Sequence, residues 1–293
     1  MSHRFGYVAL IGQPNVGKST LLNALVGQKV SIVSNKAQTT RRSVIGIMQG
    51  EGYQIAFIDT PGVHEPHTVL GRTMLEEART GLSGVDLVVV VLDVSRRPND
   101  ADRRIALMVK DSPKILAMNK MDRLRAEMVV PHTEAYCQLF GTEEYMMTTA
   151  TEGVNLDKLV EMIVERLDEG EAQFDPDTFT DQTVRFMATE LIREKVLVAT
   201  RQEVPHAVAV QIREWEEEEG RVTIYADIVV EKDGQKAILI GNKGQFIKTI
   251  GTQARLEIAE LIGMPVHLDL HVKVRPDWRQ SPRMIKELNE ETG

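Results

Sequence analysis

The stretch Gly12-Gln-Pro-Asn-Val-Gly-Lys-Ser19 decides the fold of the first half of this 293-residue chain. It follows the apolar run Tyr7–Ile11, which predicts a strand, and it opens the segment Ser19–Leu25, which predicts a helix. A loop of this composition between a strand and a helix surrounds a phosphate tail with backbone N–H groups and the positive end of the helix dipole. Lys18 is expected to reach the β- and γ-phosphates, and the Ser19 hydroxyl to bind Mg²⁺. The predicted phosphate-binding residues are Gly12, Gln13, Pro14, Asn15, Val16, Gly17, Lys18, Ser19 and Thr20.

The surrounding pattern predicts an α/β domain around that loop. Short apolar runs alternate with longer amphipathic segments as far as Gly170, and a last helix is predicted over 155–167. Alternation of this kind is typical of a mostly parallel sheet with helices on both faces. Two of the runs, separated by glycines, form a predicted hairpin. The predicted strands are 7–11, 44–48, 54–58, 86–92, 114–118 and 145–148, which gives a six-stranded sheet.

The segment Asn119-Lys-Met-Asp122 indicates which nucleotide the loop serves. It follows a predicted strand and therefore lies at the carboxyl edge of the sheet, where ligands of such folds bind. The Asp122 carboxylate can accept hydrogen bonds from N1–H and the N2 amino group of guanine, whereas adenine would leave it unpaired. Asn119 is expected to reach the N7 side, Lys120 to cover the ring, and the Ala150 N–H to donate to guanine O6. The predicted guanine-binding residues are Asn119, Lys120, Met121, Asp122, Thr149, Ala150 and Thr151.

A third segment, Asp59-Thr-Pro-Gly62, ends another predicted strand. Asp59 is expected to hold Mg²⁺ through water, and the Gly62 N–H to donate to the γ-phosphate. Both interactions depend on the third phosphate, so hydrolysis would release the loop that follows. The predicted nucleotide contacts of this segment are Asp59, Thr60, Pro61, Gly62 and Val63.

The polar segment Lys36–Arg42 lies between the first helix and the second strand. A threonine here is expected to complete the Mg²⁺ shell, and Thr40 is favoured over Thr39. Arg41 is interpreted as a surface or structural residue, with an internal arginine finger as the alternative. The predicted metal ligands are Ser19, Thr40 and Asp59. The predicted catalytic residues are Lys18, Thr40, Asp59 and Gly62.

Val63 occupies the position at which many regulatory GTPases carry a water-orienting glutamine. A valine cannot orient water, so we expect unaided hydrolysis to be slow. His64 is an alternative general base. Asn15 resembles the asparagine with which potassium-activated GTPases hold a monovalent cation, which makes K⁺ a candidate second cofactor.

A second domain is predicted after a polar stretch interrupted by Pro176. The predicted divisions are a GTPase domain over 1–172, a linker over 173–182 and a second domain over 183–293. In the second domain a first helix precedes strands predicted at 207–212 and 222–230. The glutamate-rich run between those strands, Glu214–Glu219, is interpreted as a solvated connection.

The stretch Ile238–Arg255 carries the strongest functional signal of the second domain. Gly241 and Gly244 bracket a tight turn between two predicted helices, which lets a nucleic-acid backbone come close to the chain. Ile247 and Ile250 are expected to line an apolar floor under single-stranded bases. With the β-β-α-α-β order around it, this pattern is typical of an α+β type II KH domain, which reads about four nucleotides. The predicted RNA-binding residues are Ile240, Gly241, Asn242, Lys243, Gly244, Ile247, Lys248, Ile250 and Arg255.

The distribution of charge agrees with a nucleic-acid partner. The net formal charge is −8, but residues 236–286 hold nine Lys/Arg and four Asp/Glu, a local charge of +5 against −13 elsewhere. The longest apolar run, Leu87–Leu92, falls far short of the roughly 20 residues of a membrane span, and the start of the chain lacks a leader pattern. One cysteine excludes an internal disulfide. These features predict a cytoplasmic protein.

The order and spacing of the nucleotide segments resemble those of the translation-factor-like GTPases, with 41 residues from Lys18 to Asp59 and 60 from Asp59 to Asn119. Joined to a KH domain that includes Pro265–Val274, they resemble the Era family of bacterial GTPases over nearly the whole chain. The resemblance implies GTP or GDP and Mg²⁺ as cofactors. It implies binding of single-stranded RNA near the 3′ end of 16S ribosomal RNA and assembly of the 30S subunit as the role. It also implies peripheral contact with the inner membrane, and we expect a monomer.

Two other functions fit the sequence. In one, GTP is a slowly exchanged structural ligand and the KH domain binds RNA constitutively. In the other, the protein is a membrane-associated GTPase that regulates cell division. The complete set of Ser19, Thr40 and Asp59 favours a switch, since these residues sense the third phosphate.

Overall fold

The computed structural model describes residues 3–36, 38–201 and 203–290. The chain divides into two compact units between Asp181 and Gln182, and the short segments Ser34–Thr39 and His67–Leu70 group with the second unit. The strands are β1 (Arg4–Ile11), β2 (Val44–Gly50), β3 (Tyr53–Asp59), β4 (Leu87–Asp93), β5 (Lys114–Asn119), β6 (Tyr145–Met147), β7 (Ala209–Glu218), β8 (Arg221–Val230) and β9 (Val266–Val274). The helices are α1 (Lys18–Val26), α2 (Val69–Thr80), α3 (Asp100–Met108), α4 (Val129–Phe140), α5 (Leu156–Val164), α6 (Val184–Ala199), α7 (Val204–Ala207), α8 (Asp233–Ile240), α9 (Gln245–Ile262) and α10 (Pro282–Glu290).

The first unit is built on a six-stranded sheet in the order β2-β3-β1-β4-β5-β6. β2 runs antiparallel to β3, and the other neighbouring strands are parallel. Buried side chains form one hydrophobic cluster with α1 and α5 and a second cluster with α2, α3 and α4. A sheet covered on both faces explains why its central strands are continuous apolar runs. The predicted α/β fold is confirmed.

The strand register brings the functional segments of the first unit to one edge of the sheet. Leu10 pairs with Asp59, and Asp93 pairs with Asn119. Because these strands are parallel, the loops that follow β1, β3, β4 and β5 all leave the sheet at its carboxyl edge. Gly12 starts the first of these loops, and a Cβ there would lie 2.3 Å from the Val91 carbonyl oxygen.

Residues 173–181, which lie in the predicted linker, hydrogen-bond to the first sheet. The fully buried Gln54 side chain accepts from the N–H groups of Gln173 and Phe174 at 2.8 and 3.0 Å. Thr180 Oγ1 donates to the Ile45 carbonyl at 2.6 Å. A buried amide needs such partners, which explains why the chain follows the β2–β3 hairpin here.

The second unit contains a three-stranded sheet in the order β7-β8-β9. β7 and β8 are antiparallel, whereas β8 and β9 are parallel. Helix α9 packs on both α6 and β9. One face of β8, formed by Ile224, Ala226 and Ile228, is fully buried. The element order is the one predicted for the type II KH domain.

The glutamate-rich run of the second unit is a strand and not a loop. β7 continues to Glu218, with Trp215 paired to Ile224 and Glu217 paired to Val222. The predicted solvated connection over 214–219 is therefore wrong. An edge strand can pair its backbone on one side while glutamate side chains remain in water, and so a charged composition does not exclude it.

Among the described residues, no helix is both long enough and apolar enough to cross a membrane. The longest helix, α9, has 18 residues but carries charged side chains along its length.

Candidate nucleotide site and nucleic-acid interface

The loop between β1 and α1 has the geometry of a phosphate cradle. Gly17 adopts φ 105°, and a Cβ at this position would lie 2.4 Å from Nδ2 of Asn119. Only glycine fits both requirements. The ammonium of Lys18 donates to the carbonyl oxygens of Gly12 and Gln13 at 3.3 and 3.1 Å. It is thereby held beside the first turn of α1, where the helix dipole also favours an anion.

Gln13 belongs to the cradle through its backbone. Its side chain turns toward the start of α3, where Nε2 donates to Asn99 Oδ1 and Oε1 accepts from Arg96, both at 3.0 Å. Asn99 in turn caps the N-terminus of α3. These bonds anchor the phosphate loop to the neighbouring helix. Both polar atoms of the Gln13 side chain are therefore used within the protein, and only its backbone faces the phosphate.

Three hydroxyl groups surround the buried carboxylate of Asp59. Its Oδ2 accepts hydrogen bonds from Ser19 at 2.6 Å, Ser31 at 2.9 Å and Thr40 at 3.4 Å. Its Oδ1 is buried and has no hydrogen-bond partner among the described residues. Burial raises the pKa of Asp59, although the charge of Lys18 and the three hydroxyl groups oppose the rise. A cation at this position would offset the cost of burying the carboxylate.

The arrangement of these groups fits Mg²⁺. Ser19 Oγ and Thr40 Oγ1 lie 3.0 Å apart. Neighbouring ligands of an octahedral ion with bonds of about 2.1 Å are also separated by about 3.0 Å. The unpaired Oδ1 of Asp59 offers an acceptor for a metal-bound water. The Thr39 hydroxyl donates to the Lys36 carbonyl at 2.8 Å, so the geometry supports Thr40 as the ligand.

The loop after β3 passes close to the phosphate loop. A Cβ at Gly62 would lie 2.8 Å from the backbone of Pro14, which explains the glycine. The Val63 N–H donates to the Gly12 carbonyl at 3.0 Å, while the Val63 side chain is buried in the hydrophobic core. Its burial agrees with the expectation that this position does not orient water. His64 Nδ1 donates to the Gly62 carbonyl at 2.9 Å, since a carbonyl oxygen can only accept.

Asn119 connects the two loops that flank the predicted base site. Its Nδ2 donates to the Val16 carbonyl at 2.8 Å, and its Oδ1 accepts from the Ala150 N–H at 3.0 Å. The side chain is almost completely buried. The structure therefore differs from the expectation that the Ala150 N–H faces guanine O6, because Asn119 engages it. Asn119 acts here as a brace between the phosphate loop and the loop after β6.

Lys120 ties the base site to the phosphate loop. It adopts φ 62°, and its Nζ donates to the Asn15 carbonyl at 2.6 Å and to Asp93 Oδ2 at 2.8 Å. Burial would raise the pKa of Asp93, but the hydrogen bonds from Lys120 and Ser95 hold it below its usual value. The ionised Asp93 thus fixes the lysine stem beside the site.

Asp122 is the accessible carboxylate of this region. It lies in the tight 3₁₀ turn Met121–Arg123, and the only ion pair it makes among the described residues is a long one, 3.6 Å, to the Arg123 guanidinium. An exposed carboxylate with so weak a partner is available to accept hydrogen bonds from a base.

The remaining residues of the predicted nucleotide set have varied surroundings. Thr60 donates through its hydroxyl to the Leu10 carbonyl at 2.8 Å, which fixes the start of the loop after β3. Thr149 and Pro61 are buried, Thr20 and Met121 are half-buried, and Thr151 is exposed.

A measurable consequence of the cradle is proton uptake on nucleotide binding. Burial lowers the pKa of Lys18 from 10.5 to about 8, against the opposing effect of Asp59. An anionic phosphate favours the ammonium form and raises that pKa again, so binding draws a proton wherever the free lysine is partly neutral. At pH 8 we expect uptake of about half a proton per GDP. Calorimetry in two buffers of different ionisation enthalpy measures this count, and equal heats in both would contradict the assignment.

In the second unit, the turn between α8 and α9 depends on its two glycines. Gly241 adopts φ 68°, and a Cβ there would lie 2.6 Å from Cβ of Phe246. Gly244 adopts φ 77° immediately before α9. Lys243, between them, also has a positive φ, and its side chain is exposed together with that of Asn242. The turn therefore presents backbone and a cation to solvent.

A groove of about 230 Å³ lies between α9 and β9. From α9 it is lined by Ile247, Lys248, Gly251, Thr252 and Arg255, and from β9 by Leu268, Asp269 and Leu270. An apolar floor flanked by two basic side chains suits unstacked bases joined by phosphates.

The groove corrects one residue of the RNA-binding prediction and adds others. Ile250 is fully buried in the core of the second unit, so its expected place on the exposed floor is wrong. The helical period explains the error, because Ile247, Gly251 and Arg255 share one face of α9 and Ile250 points away from it. Gly251 was missed, although its spacing of four residues from Ile247 was the available signal; a Cβ at this position would be in ordinary contact with Leu270, 3.4 Å away.

Two family models match the chain. The model described as "50S ribosome-binding GTPase" matches residues 7–120, and the model described as "KH domain" matches residues 203–279. The first spans the phosphate loop, the Asp59 segment and Asn119. The second spans the glycine turn and the groove.

Similar proteins cover the same two parts together. GTPase Era from Heliobacterium modesticaldum is 43% identical over 97% of this chain and 96% of its own length. GTPase Era from Leuconostoc citreum is 45% identical over 98% of this chain and 97% of its own length. A crystal structure of Era in complex with MgGDPNP and nucleotides 1506–1542 of 16S ribosomal RNA superposes with a TM-score of 0.95, 40% identity and 98% coverage of both chains. A variant of Aquifex aeolicus Era bound to GDP and AlF4⁻ has a TM-score of 0.94 at 40% identity, over 97% of this chain and 98% of that one. This chain therefore belongs to the Era family of GTPases.

Proposed function

We propose that this protein is a GTP-hydrolysing switch that binds the 3′ end of 16S ribosomal RNA and assists assembly of the 30S subunit. One observation carries the proposal: a hydroxyl-lined carboxylate that fits Mg²⁺ occurs in the same chain as a groove with basic side chains on α9, the helix that follows the Gly241–Gly244 turn. The solved relative with MgGDPNP and an RNA fragment supports the same combination. The proposed divisions are 1–172 for the GTPase domain and 183–293 for the RNA-binding domain, and the proposed location is the cytoplasm.

In the nucleotide site each side chain has a distinct task. Lys18 places its positive charge beside the β- and γ-phosphates, and the Gly62 N–H donates to the γ-phosphate. Asp59, Ser19 and Thr40 hold Mg²⁺, which when bound neutralises charge on the phosphate oxygens. Asp122 selects guanine through two hydrogen bonds. Because Val63 is buried in the core, attacking water lacks an orienting side chain at that position, and unaided hydrolysis is slow.

Loss of the γ-phosphate removes partners from two places at once. Thr40 is then no longer held beside Ser19 by the shared Mg²⁺ ion, and the Gly62 N–H no longer has the γ-phosphate as its acceptor. Thr40 directly follows the segment Ser34–Thr39, which groups with the second unit. A change at Thr40 therefore continues directly along the chain into that segment.

In the groove, recognition combines charge with stacking surface. Lys243 and Lys248 attract the RNA backbone, the turn Gly241–Gly244 lets that backbone approach, and Ile247 contacts a base face. Arg255, the last residue of α9 that lines the groove, contributes a further positive charge.

Crosslinking in cells, followed by sequencing of the bound RNA fragments, tests the proposed function. We expect fragments from the 3′ end of the small-subunit RNA to dominate. The Lys243→Ala, Lys248→Ala double variant is the matched control and should lose that enrichment. Fragments spread over unrelated RNAs, or an unchanged pattern in the variant, would contradict the proposal.

A further inference from the structure

Three hydroxyl groups donate to Asp59, and that of Ser31 is the one that lies outside the predicted nucleotide-binding segments. Ser31 lies after α1, is almost completely buried, and its Oγ donates to Asp59 Oδ2 at 2.9 Å. Ser19 and Thr40 also donate to that oxygen, but they additionally contact each other at 3.0 Å, as two ligands of one ion would. Ser31 shares only the carboxylate with them.

The position of Ser31 is set by Asn23, which lies one helical turn after Ser19 on α1. Asn23 Oδ1 accepts from the N–H groups of Val30 and Ser31 at 3.0 and 2.9 Å. Its Nδ2 donates to the Ser31 carbonyl at 2.7 Å. Three hydrogen bonds from one side chain thus clamp the backbone that carries the Ser31 hydroxyl. The same helix therefore fixes both Ser19 and Ser31 relative to Asp59.

The two oxygens of Asp59 have different surroundings. Oδ2 receives all three hydroxyl groups, whereas Oδ1 is buried without a partner among the described residues. A carboxylate rotates easily about its last bond, and its rotation is limited by the hydrogen bonds it accepts. Ser19 and Thr40 must direct lone pairs to a metal ion, so Ser31 is the donor that holds Oδ2 without that second task.

We propose that Ser31 is a positioning residue of the Mg²⁺ site, which holds Oδ2 of Asp59 so that Oδ1 stays available to metal-bound water. The inference rests on the proposed function, in which Asp59 holds Mg²⁺. Asn23 and Ser31 together set the affinity for Mg²⁺. Neither residue contacts the phosphates or the guanine base in this proposal.

The test measures release of fluorescent GDP from the full-length protein as a function of Mg²⁺ concentration. Ser31→Ala should raise the Mg²⁺ concentration that half-maximally slows release by about tenfold, because a hydrogen bond to a charged group is lost. Ser31→Thr keeps a hydroxyl and should restore most of the affinity. Ser31→Cys has nearly the same size but a weak donor, and it should resemble alanine. If Ser31→Ala does not fold, Ser31→Cys carries the test.

Ser43→Ala is the matched control, since it removes a serine hydroxyl that is buried and lacks a hydrogen-bond partner among the described residues. It should leave the Mg²⁺ dependence unchanged. A Ser31→Ala or Ser31→Cys curve that coincides with the wild-type curve would overturn the inference, whatever its effect on thermal stability. Wild-type release that is independent of Mg²⁺ would instead overturn the proposed metal site itself, so the two failures are distinguishable.

Discussion

Replacement of Asp122 by asparagine is expected to weaken GDP binding by a factor of about 100 or more. In the proposed site, the exposed carboxylate accepts from both N1–H and the N2 amino group of guanine. An amide presents only one acceptor and opposes the other donor with its own N–H groups. Xanthine carries a carbonyl group in place of the N2 amine, so the variant should gain affinity for xanthosine diphosphate. Competition of the two nucleotides against fluorescent GDP measures this exchange of preference.

Asp111→Asn is a suitable control for that experiment. Asp111 is an exposed aspartate of the same unit, outside the predicted nucleotide segments, and its replacement makes the same change in charge. The control should keep the wild-type preference for guanine. Unchanged preference in Asp122→Asn would show that another group reads the base.

The double replacement Lys243→Ala with Lys248→Ala is expected to weaken binding of single-stranded RNA about 20-fold at 0.1 M salt. Each lysine that contacts a phosphate of a single strand contributes about 0.7 to the slope of log affinity against log salt, so the slope should fall by about 1.4. GDP affinity should not change. Fluorescence anisotropy at several salt concentrations gives the affinity and the slope together.

Arg283→Ala with Lys286→Ala provides the matched loss of charge in this unit. Both residues are exposed on α10 and neither lines the groove. This variant should retain the wild-type slope. If both double variants lowered the affinity equally, a diffuse positive field rather than the groove would account for binding.

Motifs whose chemistry depends on local sequence were predictable. The phosphate loop over Gly12–Lys18 depends only on local backbone torsions and on the N-terminus of one helix. Central strands are buried on both faces and therefore appear as apolar runs such as Leu87–Leu92. The KH turn was recognised for the same reason, since two glycines with positive φ leave a direct mark on the sequence.

Features that arise from tertiary contacts were not predictable. Ser31 lies in an apolar run, and nothing local shows that its hydroxyl meets Asp59, 28 residues along the chain. The Ala150 N–H looks available until Asn119, 31 residues away, is placed beside it. The second half of strand β7, beyond the predicted end at Ile212, was missed because its pairing with β8, and not its own composition, determines its conformation.

In the proposed function, the nucleotide controls RNA binding. This control is tested most directly by the affinity of the full-length protein for a single-stranded RNA from the 3′ end of 16S ribosomal RNA, measured with a non-hydrolysable GTP analogue and with GDP under saturating Mg²⁺. We expect the affinity for RNA to be about tenfold higher with the analogue, because the coupling free energy between two sites of a switch commonly corresponds to a change of about that size. A ligand that binds both states equally does not shift their equilibrium, so equal RNA affinities with the two nucleotides would contradict the proposed switch.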